Sequence, residues 1–423
     1  MTEEFLYYIW MFRLFDKDIT TTSGESINIL KSGERNTDSG PDFFNAKIKM
    51  GDTTWAGNVE IHINSSDWYK HNHQENNAFD NIILHVVYKN DAIIKRKNSE
   101  IIPTIELKEK FDKKLYYRYK SFMTNKYWIP CQKLIGNVDK FNLNSWLERL
   151  LIERLEHKAK TIESTLNLNK NNWEQTFYQY LARNFGFNTN AEPFELLAKS
   201  LPVNYLAKHK NNQFQIESLL FGQAGMLENK FKDEYPNNLK KEYNFLKKKF
   251  SLKPVDGFLW KFLRLRPSNF PTIRISQFAN LIYKSSGLFS KIIKINTLNE
   301  VYKLFDISTS GYWDTHYIFD KPSAKRKKSF GKNALNLIII NTIVPFLFVY
   351  GLEKDNDFYK EKALHLLNQV PGEKNSVIRK WQELGSKTST AYCTQSLLEL
   401  KNNYCDVKNC LNCQIGNILL RGI

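Results

Sequence analysis

Acidic and histidine side chains concentrate in one short stretch near the N-terminus, which reads PDFFNAKIKMGDTTWAGNVEIHINSSDWYKHNH from position 41. Alternate residues of a strand point to the same face. Glu60 and His62 therefore share a face, whereas the apolar residues that flank them point into a core. Asp42 opens the preceding predicted strand. Because the turn between these strands is short, we expect them to be antiparallel neighbours, with Asp42 close to Glu60.

Two convergent carboxylates form a typical site for Mg²⁺ or Mn²⁺, which prefer oxygen ligands. Such an ion, held by Asp42 and Glu60, would polarise a phosphodiester and lower the pKa of its bound water. His62 would orient that water or stabilise developing negative charge, and Lys47 on the neighbouring strand would supply a positive charge. These four residues are the predicted catalytic group. The structural alternative makes Asp42 a turn residue and places Glu60 on a solvated sheet face.

More potential ligands follow directly along the chain. Asp67, His71 and His73 come after the Glu60 strand, and His85 lies in the next predicted strand, NIILHVVY. Imidazoles combined with carboxylates bind Zn²⁺ or Fe²⁺, which would make this region the site of a different hydrolase. The simpler alternative places His71 and His73 in an exposed loop and His85 in the core.

The pattern along the chain predicts an α+β fold. A mixed β-sheet domain is expected over residues 1–110, and a mainly α-helical domain with a C-terminal cysteine cluster over residues 111–423. An apolar stripe predicts a helix over residues 1–16. Five strand-like segments follow, namely SINILKSG, FFNAKIKM, WAGNVEIHIN, NIILHVVY and IIPTIEL. Helical periodicity then begins, as in NSWLERLLIERLEHKAKTIESTL.

Four of the five cysteines lie near the C-terminus, where Cys405, Cys410 and Cys413 form a C-x4-C-x2-C pattern. Three thiols this close fit a tetrahedral zinc site or an iron–sulfur cluster. The fourth ligand would be Cys393, on a preceding predicted helix, or the distant Cys131. The alternative is a set of small buried thiols in a helical hairpin.

The chain carries a formal net charge of +17. A basic surface attracts polyanions, of which nucleic acid is the commonest. The chain is also rich in Lys, Asn and Ile together, and this bias can come from base composition rather than from selection for binding. Arg264, Arg266 and Arg274 surround two prolines at a predicted helix entry, where guanidinium groups would hold phosphates. Pairing with helix carbonyls or with Glu is the alternative role for these arginines.

The longest apolar run, ALNLIIINTIVPFLFVYGL, approaches the length of a membrane span. The asparagines and the proline within it favour a buried core helix. The N-terminus lacks the basic region and small-residue cleavage site of a signal peptide. We therefore expect a cytoplasmic protein with a nucleic-acid partner and no membrane association.

Two short motifs, the Pro-Asp at positions 41 and 42 and the Glu-Ile-His at positions 60–62, resemble the restriction-endonuclease-like (PD-(D/E)XK) nuclease superfamily. The superfamily is recognised by a Pro-Asp, a spacer and an acid-x-Lys on the next strand. A helix before the sheet often supplies another acid, which would be Glu3 or Glu4 here. The resemblance implies Mg²⁺-dependent cleavage of nucleic acid. His62 stands where the superfamily usually has Lys. Some of these nucleases carry a cluster that joins one distant cysteine to a C-terminal triplet, as Cys131 would here.

Across its whole length the chain resembles an uncharacterised bacterial family, domain of unknown function 2851. The stretches that carry this resemblance are SGPDFFNAKI, GNVEIHINSSDW, NIILHVVY, RLRPSNFPTIRI and YCDVKNCLNCQIGN. The family implies no activity, so function rests on the residues. We expect a metal-dependent nuclease acting on DNA or RNA. The alternatives are a non-catalytic nucleic-acid-binding or scaffold protein, and a zinc- or iron-dependent hydrolase that uses the histidines.

Overall fold

The computed structural model describes residues 1–422 of the chain. These residues form two compact units. The first unit contains Met1–Trp146 together with the described residues from Lys401 onward, and the second contains Leu147–Leu400. The expected boundary near residue 110 marks the change from strands to helices, whereas the compact units divide at Trp146. The cysteine-containing tail belongs to the first unit.

A seven-stranded sheet forms the centre of the first unit and confirms the predicted mixed β-sheet. Five of its strands fall on the five segments that alternation predicted. The strands are β1 (Ile19–Thr20), β2 (Ser26–Lys31), β3 (Glu34–Arg35), β4 (Phe43–Met50), β5 (Thr53–Asn64), β6 (Ile82–Lys89) and β7 (Thr104–Glu106). The helices along this part of the chain are α1 (Glu3–Met11), α2 (Asp67–Lys70) and α3 (Lys113–Thr124).

Strands β4 and β5 form the predicted antiparallel hairpin. Met50 pairs with Thr53 across a tight turn, in which Gly51 has a φ of +56° that favours glycine. At the other end of the hairpin Phe43 pairs with Val59. Asp42, which precedes Phe43, is therefore adjacent to Glu60.

Strand β6 runs parallel to β5, with Glu60 opposite His85 in the register. Parallel neighbours require a crossover connection that passes over one face of the sheet. Residues 65–81 form this crossover and include α2. Trp68 and Phe79 of the crossover are buried in one hydrophobic cluster with Ile82 of β6.

Both faces of β5 are consequently buried near its centre. Val59 and Ile61 are fully buried, and Glu60 and His62 on the opposite face are only 5% and 2% exposed. Glu60 therefore does not lie on a solvated sheet face, because the crossover covers that face.

Helix α1 occupies the region predicted as the N-terminal helix. Phe5, Ile9 and Trp10 on its apolar stripe are fully buried, and the Trp10 indole donates a hydrogen bond to the Ser32 carbonyl at 2.9 Å. Tyr7 packs edge-on against Phe43, with 6.2 Å between ring centres. Helix α1 therefore lies beside the start of β4.

The second unit is mainly helical, as predicted, and is packed around one large apolar core. Its two short strands, β8 (His316–Ile318) and β9 (Lys321–Pro322), form a separate antiparallel ribbon. The helices from residue 140 onward are α4 (Lys140–Leu168), α5 (Trp173–Phe185), α6 (Phe187–Ser200), α7 (Val203–Ala207), α8 (Gln213–Gln223), α9 (Glu234–Phe250), α10 (Pro271–Lys284), α11 (Leu288–Lys294), α12 (Leu298–Leu304), α13 (Lys332–Ile338), α14 (Val344–Glu353), α15 (Asp357–Gln369), α16 (Ser376–Glu383), α17 (Ala391–Glu399) and α18 (Gln414–Arg421). Helix α4 begins in the first unit, and α18 belongs to the first unit.

Helices α13 and α14 join through the π-helical turn Ile339–Ile343 into one continuous helix, Lys332–Glu353. By length and composition this is the one helix among residues 1–422 that could cross a membrane. Of its most apolar window, 72% is buried inside the protein, as in the core helix of a globular domain.

Candidate metal centre

Asp42 and Glu60 are fixed side by side through each other's backbone. The Asp42 N–H donates a hydrogen bond to Glu60 Oε2 at 3.1 Å, and the Ile61 N–H donates to Asp42 Oδ2 at 2.9 Å. The antiparallel pairing of β4 and β5 produces this reciprocal arrangement. One oxygen of each carboxyl group is thereby held, and the other oxygen of Glu60, Oε1, lies next to His62 and His73.

Three histidines converge beside Glu60. Donor nitrogens of His62, His71 and His73 all lie within 4.8 Å of one another. His62 Nε2 lies 3.2 Å from His71 Nδ1. Glu60 Oε1 lies 3.6 Å from His62 Nε2 and 3.3 Å from His73 Nε2. The crossover and the β5 strand thus bring four potential ligands together.

These separations match the spacing of ligands around one metal ion. Two nitrogens bound tetrahedrally at Zn–N distances of about 2.0–2.1 Å lie about 3.3 Å apart. The distances of 3.2, 3.3 and 3.6 Å found here are close to that value. The three histidines therefore fit a single divalent ion, and Glu60 Oε1 lies next to two of them, His62 and His73.

His85 fixes the orientation of His62. The ring nitrogens His62 Nδ1 and His85 Nε2 are 2.8 Å apart, and His85 is fully buried on β6. If His62 bound a metal through Nε2, its proton would reside on Nδ1, from which it would donate to His85. Metal-binding histidines in proteins commonly have such an outer partner. His85 is thus a buried histidine, as its strand position suggested, and also a positioning group.

Aromatic side chains form the wall of the site. The ring of His73 stacks on Phe79, with 3.9 Å between ring centres. The Trp68 ring packs edge-on against His73 and His85 at 5.3 and 5.7 Å. These contacts hold the histidines and exclude water from one side of the site.

Burial shifts the ionisation of the site toward neutral forms. It raises the pKa of the Glu60 carboxyl to about 8, and burial together with the neighbouring Glu60 raises that of Asp42 to about 7. Burial lowers the pKa of His62 to about 3, so its imidazole keeps a free lone pair at neutral pH. A bound cation would remove the cost of ionising the carboxyl groups.

Helix α1 supplies two further groups. Burial raises the pKa of the Glu3 carboxyl, with an additional contribution from Asp42, and His71 and His73 lower it. Glu3 is therefore the acid of the preceding helix that faces the site, whereas Glu4 is exposed. The hydroxyl of Tyr7 forms a hydrogen bond with Asp42. Sequence reasoning missed Tyr7, although it lies one helical turn after Glu3.

The other predicted residues of the first unit lie at the edge of the site or away from it. Lys47 is exposed and pairs with Ala56, four positions along β5 from Glu60. Asp67 begins α2 and accepts hydrogen bonds from the Asn64 N–H at 2.9 Å and from Lys70 at 2.5 Å. Asp67 thus stabilises the start of the crossover.

The three predicted phosphate-binding arginines differ in exposure. Arg264 and Arg266 are exposed in the segment before α10. Arg274 is buried, and its guanidinium donates to the side chains of Gln277 and Asn269 at 2.9 and 2.6 Å. Arg274 therefore takes part in the packing of α10, whereas the first two arginines are displayed to solvent.

The predicted cysteine ligands divide between the two units. Cys131, Cys405, Cys410 and Cys413 belong to the first unit, and Cys393 on α17 belongs to the second. Within the second unit the Thr390 hydroxyl donates a hydrogen bond to the Cys393 sulfur at 3.4 Å. Cys131 and Cys393, the two alternatives for the fourth ligand, therefore lie in different units.

The fold and site define a mixed α/β protein with a histidine–carboxylate centre in its N-terminal sheet. The chain belongs to the family described as "Protein of unknown function (DUF2851)", whose model matches residues 3–376. The match includes every residue of the candidate metal centre and ends before the C-terminal cysteines. No curated protein and no solved structure matches the chain significantly.

Proposed function

We propose that the protein is a divalent-metal-dependent phosphodiesterase that cleaves nucleic acid. The observation that carries this proposal is the convergence of His62, His71, His73 and Glu60 at ligand-to-ligand distances of 3.2–3.6 Å where they are adjacent. Convergence of this kind beside two further partly buried acids, Asp42 and Glu3, is typical of a reaction centre rather than of a structural ion pair.

The donor set favours some metals over others. Three imidazoles and one carboxylate suit Zn²⁺, Fe²⁺ or Mn²⁺ better than Mg²⁺, which prefers oxygen ligands and retained water. We therefore propose one of these three ions, which retains the Mn²⁺ but not the Mg²⁺ that the carboxylates alone suggested. When bound, the ion would polarise a phosphoryl oxygen and lower the pKa of an attacking water.

Asp42 is the best candidate for the general base. Its Oδ2 accepts a hydrogen bond from the Ile61 N–H, and its carboxyl group also forms a hydrogen bond with the Tyr7 hydroxyl. The reciprocal backbone hydrogen bonds hold Asp42 beside Glu60, and a nearby cation would favour the ionised carboxylate, which is the form that can accept a proton. We assign Asp42 to accept a proton from the attacking water. Glu3 of α1 is a further acid that faces the site.

An arginine next to the site supports an anionic substrate. Arg35 is exposed, pairs with Phe43 through β3 and β4, and lies over the Tyr7 ring at 4.3 Å. Its positive charge lowers the pKa of Asp42, which places it within electrostatic range of the centre. A guanidinium at this position would bind a phosphate of the substrate, and the net charge of +17 would attract the polymer.

Cleavage assays with defined metals test the proposal. The full chain, freed of metal by a chelator, is incubated with labelled single-stranded DNA, duplex DNA or RNA after addition of Mn²⁺, Zn²⁺, Fe²⁺ or Mg²⁺. We expect cleavage of at least one substrate with one of the first three ions and loss of cleavage on renewed chelation. Absence of cleavage with every combination would contradict the proposed activity.

A further inference from the structure

A cavity of about 280 Å³ opens in the first unit beside helix α1. Glu4, Tyr8 and Met11 of α1 line one side of it, and the loop before α18 lines another side with Asn409 and Asn412. Pockets for drug-sized ligands run from about 300 to 1,000 Å³. A cavity just below this range suits one small ring system, such as a nucleobase.

The cavity and the candidate metal centre lie on adjacent faces of helix α1. Glu3 and Tyr7, one helical turn apart, face the centre, where the Tyr7 hydroxyl forms a hydrogen bond with Asp42. Glu4 and Tyr8 are the next residue after each of these, and successive residues of a helix are rotated by about 100°. Two sites placed in this way can bind neighbouring parts of one ligand.

Arg35 connects the two sites. It lines the cavity, and its guanidinium carbon lies 4.3 Å from the centre of the Tyr7 ring. Arg35 also pairs with Phe43, the residue that follows Asp42. A phosphate bound to this guanidinium would therefore lie between the metal centre and the cavity, and a base attached to it would reach the cavity.

Glu4 and Arg35 present opposite charges to the same cavity without pairing. Both are exposed, and neither forms a salt bridge with any of residues 1–422. A ligand that fits both has a hydrogen-bond donor for the carboxylate and an anionic group for the guanidinium. A nucleotide whose base carries an amino group has both, because carboxylates accept from the amino group of cytosine and arginine binds phosphate. Thymine has a carbonyl oxygen at that position, which the Glu4 carboxylate would repel.

Aromatic side chains make part of the cavity wall rigid. Tyr8 and Tyr119 both line the cavity and are buried. The Tyr8 hydroxyl accepts a hydrogen bond from Arg421 Nε at 3.3 Å, and the Tyr119 ring stacks on Phe5 with 5.0 Å between ring centres. Aromatic walls that are already fixed favour a flat ligand, as in proteins that bind single-stranded nucleic acid.

We infer that this cavity binds one unpaired, amino-bearing base of a single-stranded nucleic acid, with the adjacent phosphate at Arg35. The inference rests on the proposed function for the class of ligand and narrows that class to single strands. A base enters a cavity only after it has left its pair and its stack, so a duplex does not fit without being opened.

Binding without metal tests the inference separately from cleavage. Fluorescence anisotropy of labelled decamers of deoxycytidine and deoxythymidine is measured with the chelator-treated full chain, at about 200 mM salt to weaken contacts with phosphates alone. We expect the deoxycytidine decamer to bind about fivefold more tightly, which is the lower end of discrimination by base-edge contacts. Equal affinity, or no binding of either decamer, would overturn the inference.

Competition distinguishes a strand from a free nucleotide. Deoxycytidine monophosphate, at the same nucleotide concentration as an unlabelled deoxycytidine decamer, should compete weakly because it lacks the neighbouring phosphates. Competition equal to that of the decamer would overturn the assignment to a single strand.

Three variants test the position of the base. Glu4→Gln should reduce the preference for deoxycytidine to less than about twofold, because an amide can also donate to the thymine carbonyl. Glu75→Gln, exposed in the crossover, is the matched control and should keep the preference. Asn412→Trp, which fills the cavity from an exposed position, should weaken binding of the deoxycytidine decamer about tenfold. A preference retained in Glu4→Gln, or an unchanged affinity in Asn412→Trp, would overturn the inference.

Failure of this inference and failure of the proposed function give different results. A protein that cleaves nucleic acid but shows none of these differences in binding retains the proposed function and lacks the base site. A protein that shows the differences in binding but never cleaves has the base site without the proposed activity. Thermal unfolding of each variant checks that the fold is intact.

Discussion

Glu60→Gln should reduce metal-dependent cleavage by at least about a hundredfold, since a catalytic metal contributes several kcal/mol and each 1.4 kcal/mol corresponds to about a tenfold change in rate. The amide has the shape of the carboxyl group and still accepts the Asp42 N–H. It lacks the negative charge that would bind the ion beside His62 and His73. The loss should therefore come from chemistry and metal binding, not from unfolding, and is measured as cleavage rate under saturating metal.

Glu75→Gln is the matched control for this substitution. Glu75 lies in the same crossover but is exposed, with Lys97 4.0 Å from its carboxylate. Such a surface pair contributes little to stability, so this variant should cleave at the wild-type rate. Thermal unfolding of both variants without metal checks the fold. Equal cleavage rates for Glu60→Gln and Glu75→Gln, with both folded, would remove Glu60 from the mechanism.

His62→Ala should cause the largest loss of metal affinity among the histidine variants, because it removes a buried ligand from the centre of the set. His85→Ala removes only the partner of His62 Nδ1, and loss of such outer partners typically costs about 10–100-fold in metal affinity. Isothermal titration of the chelator-treated protein with Mn²⁺ or Zn²⁺ measures both effects.

His365→Ala is the control for these histidine variants. His365 is exposed on α15 of the second unit and contacts Gln369 at 2.8 Å, so its removal should leave metal affinity unchanged. We expect the loss of metal affinity to be largest for His62→Ala, smaller for His85→Ala and absent for His365→Ala. A smaller loss for His62→Ala than for His85→Ala would show that His62 is not a ligand.

Local pattern was sufficient to predict the β4–β5 hairpin and the proximity of its two acids. Residue alternation in β5 and the short turn at Gly51 determine the register, and the register places Asp42 beside Glu60. Both features act over a few residues, where sequence is most informative.

The burial of this face could not be read from alternation. Polar residues at alternate positions usually indicate a solvated face, and Glu60 and His62 fit that pattern. Parallel pairing of β5 with β6 is a long-range property, and it forces residues 65–81 across the face. The apolar Trp68 and Phe79 within this connection were the available signal that it covers a core.

The choice among ligands also depended on three-dimensional proximity. Spacing alone identified the histidines and the cysteine triplet, but left Mg²⁺, Mn²⁺, Zn²⁺ and Fe²⁺ open at the histidines and carboxylates. It also left Cys131 and Cys393 open as the fourth cysteine ligand. Arg35 and Tyr7 escaped detection because a single arginine on a two-residue strand and a tyrosine on a helix have no distinctive sequence pattern.

Anomalous X-ray scattering from crystals of the chelator-treated protein soaked in Mn²⁺ would locate the metal. We expect one strong manganese peak between His62, His71, His73 and Glu60, within bonding distance of all four side chains and absent from crystals of His62→Ala. A manganese peak bound elsewhere, or no peak at these residues in the wild type, would contradict the proposed metal centre.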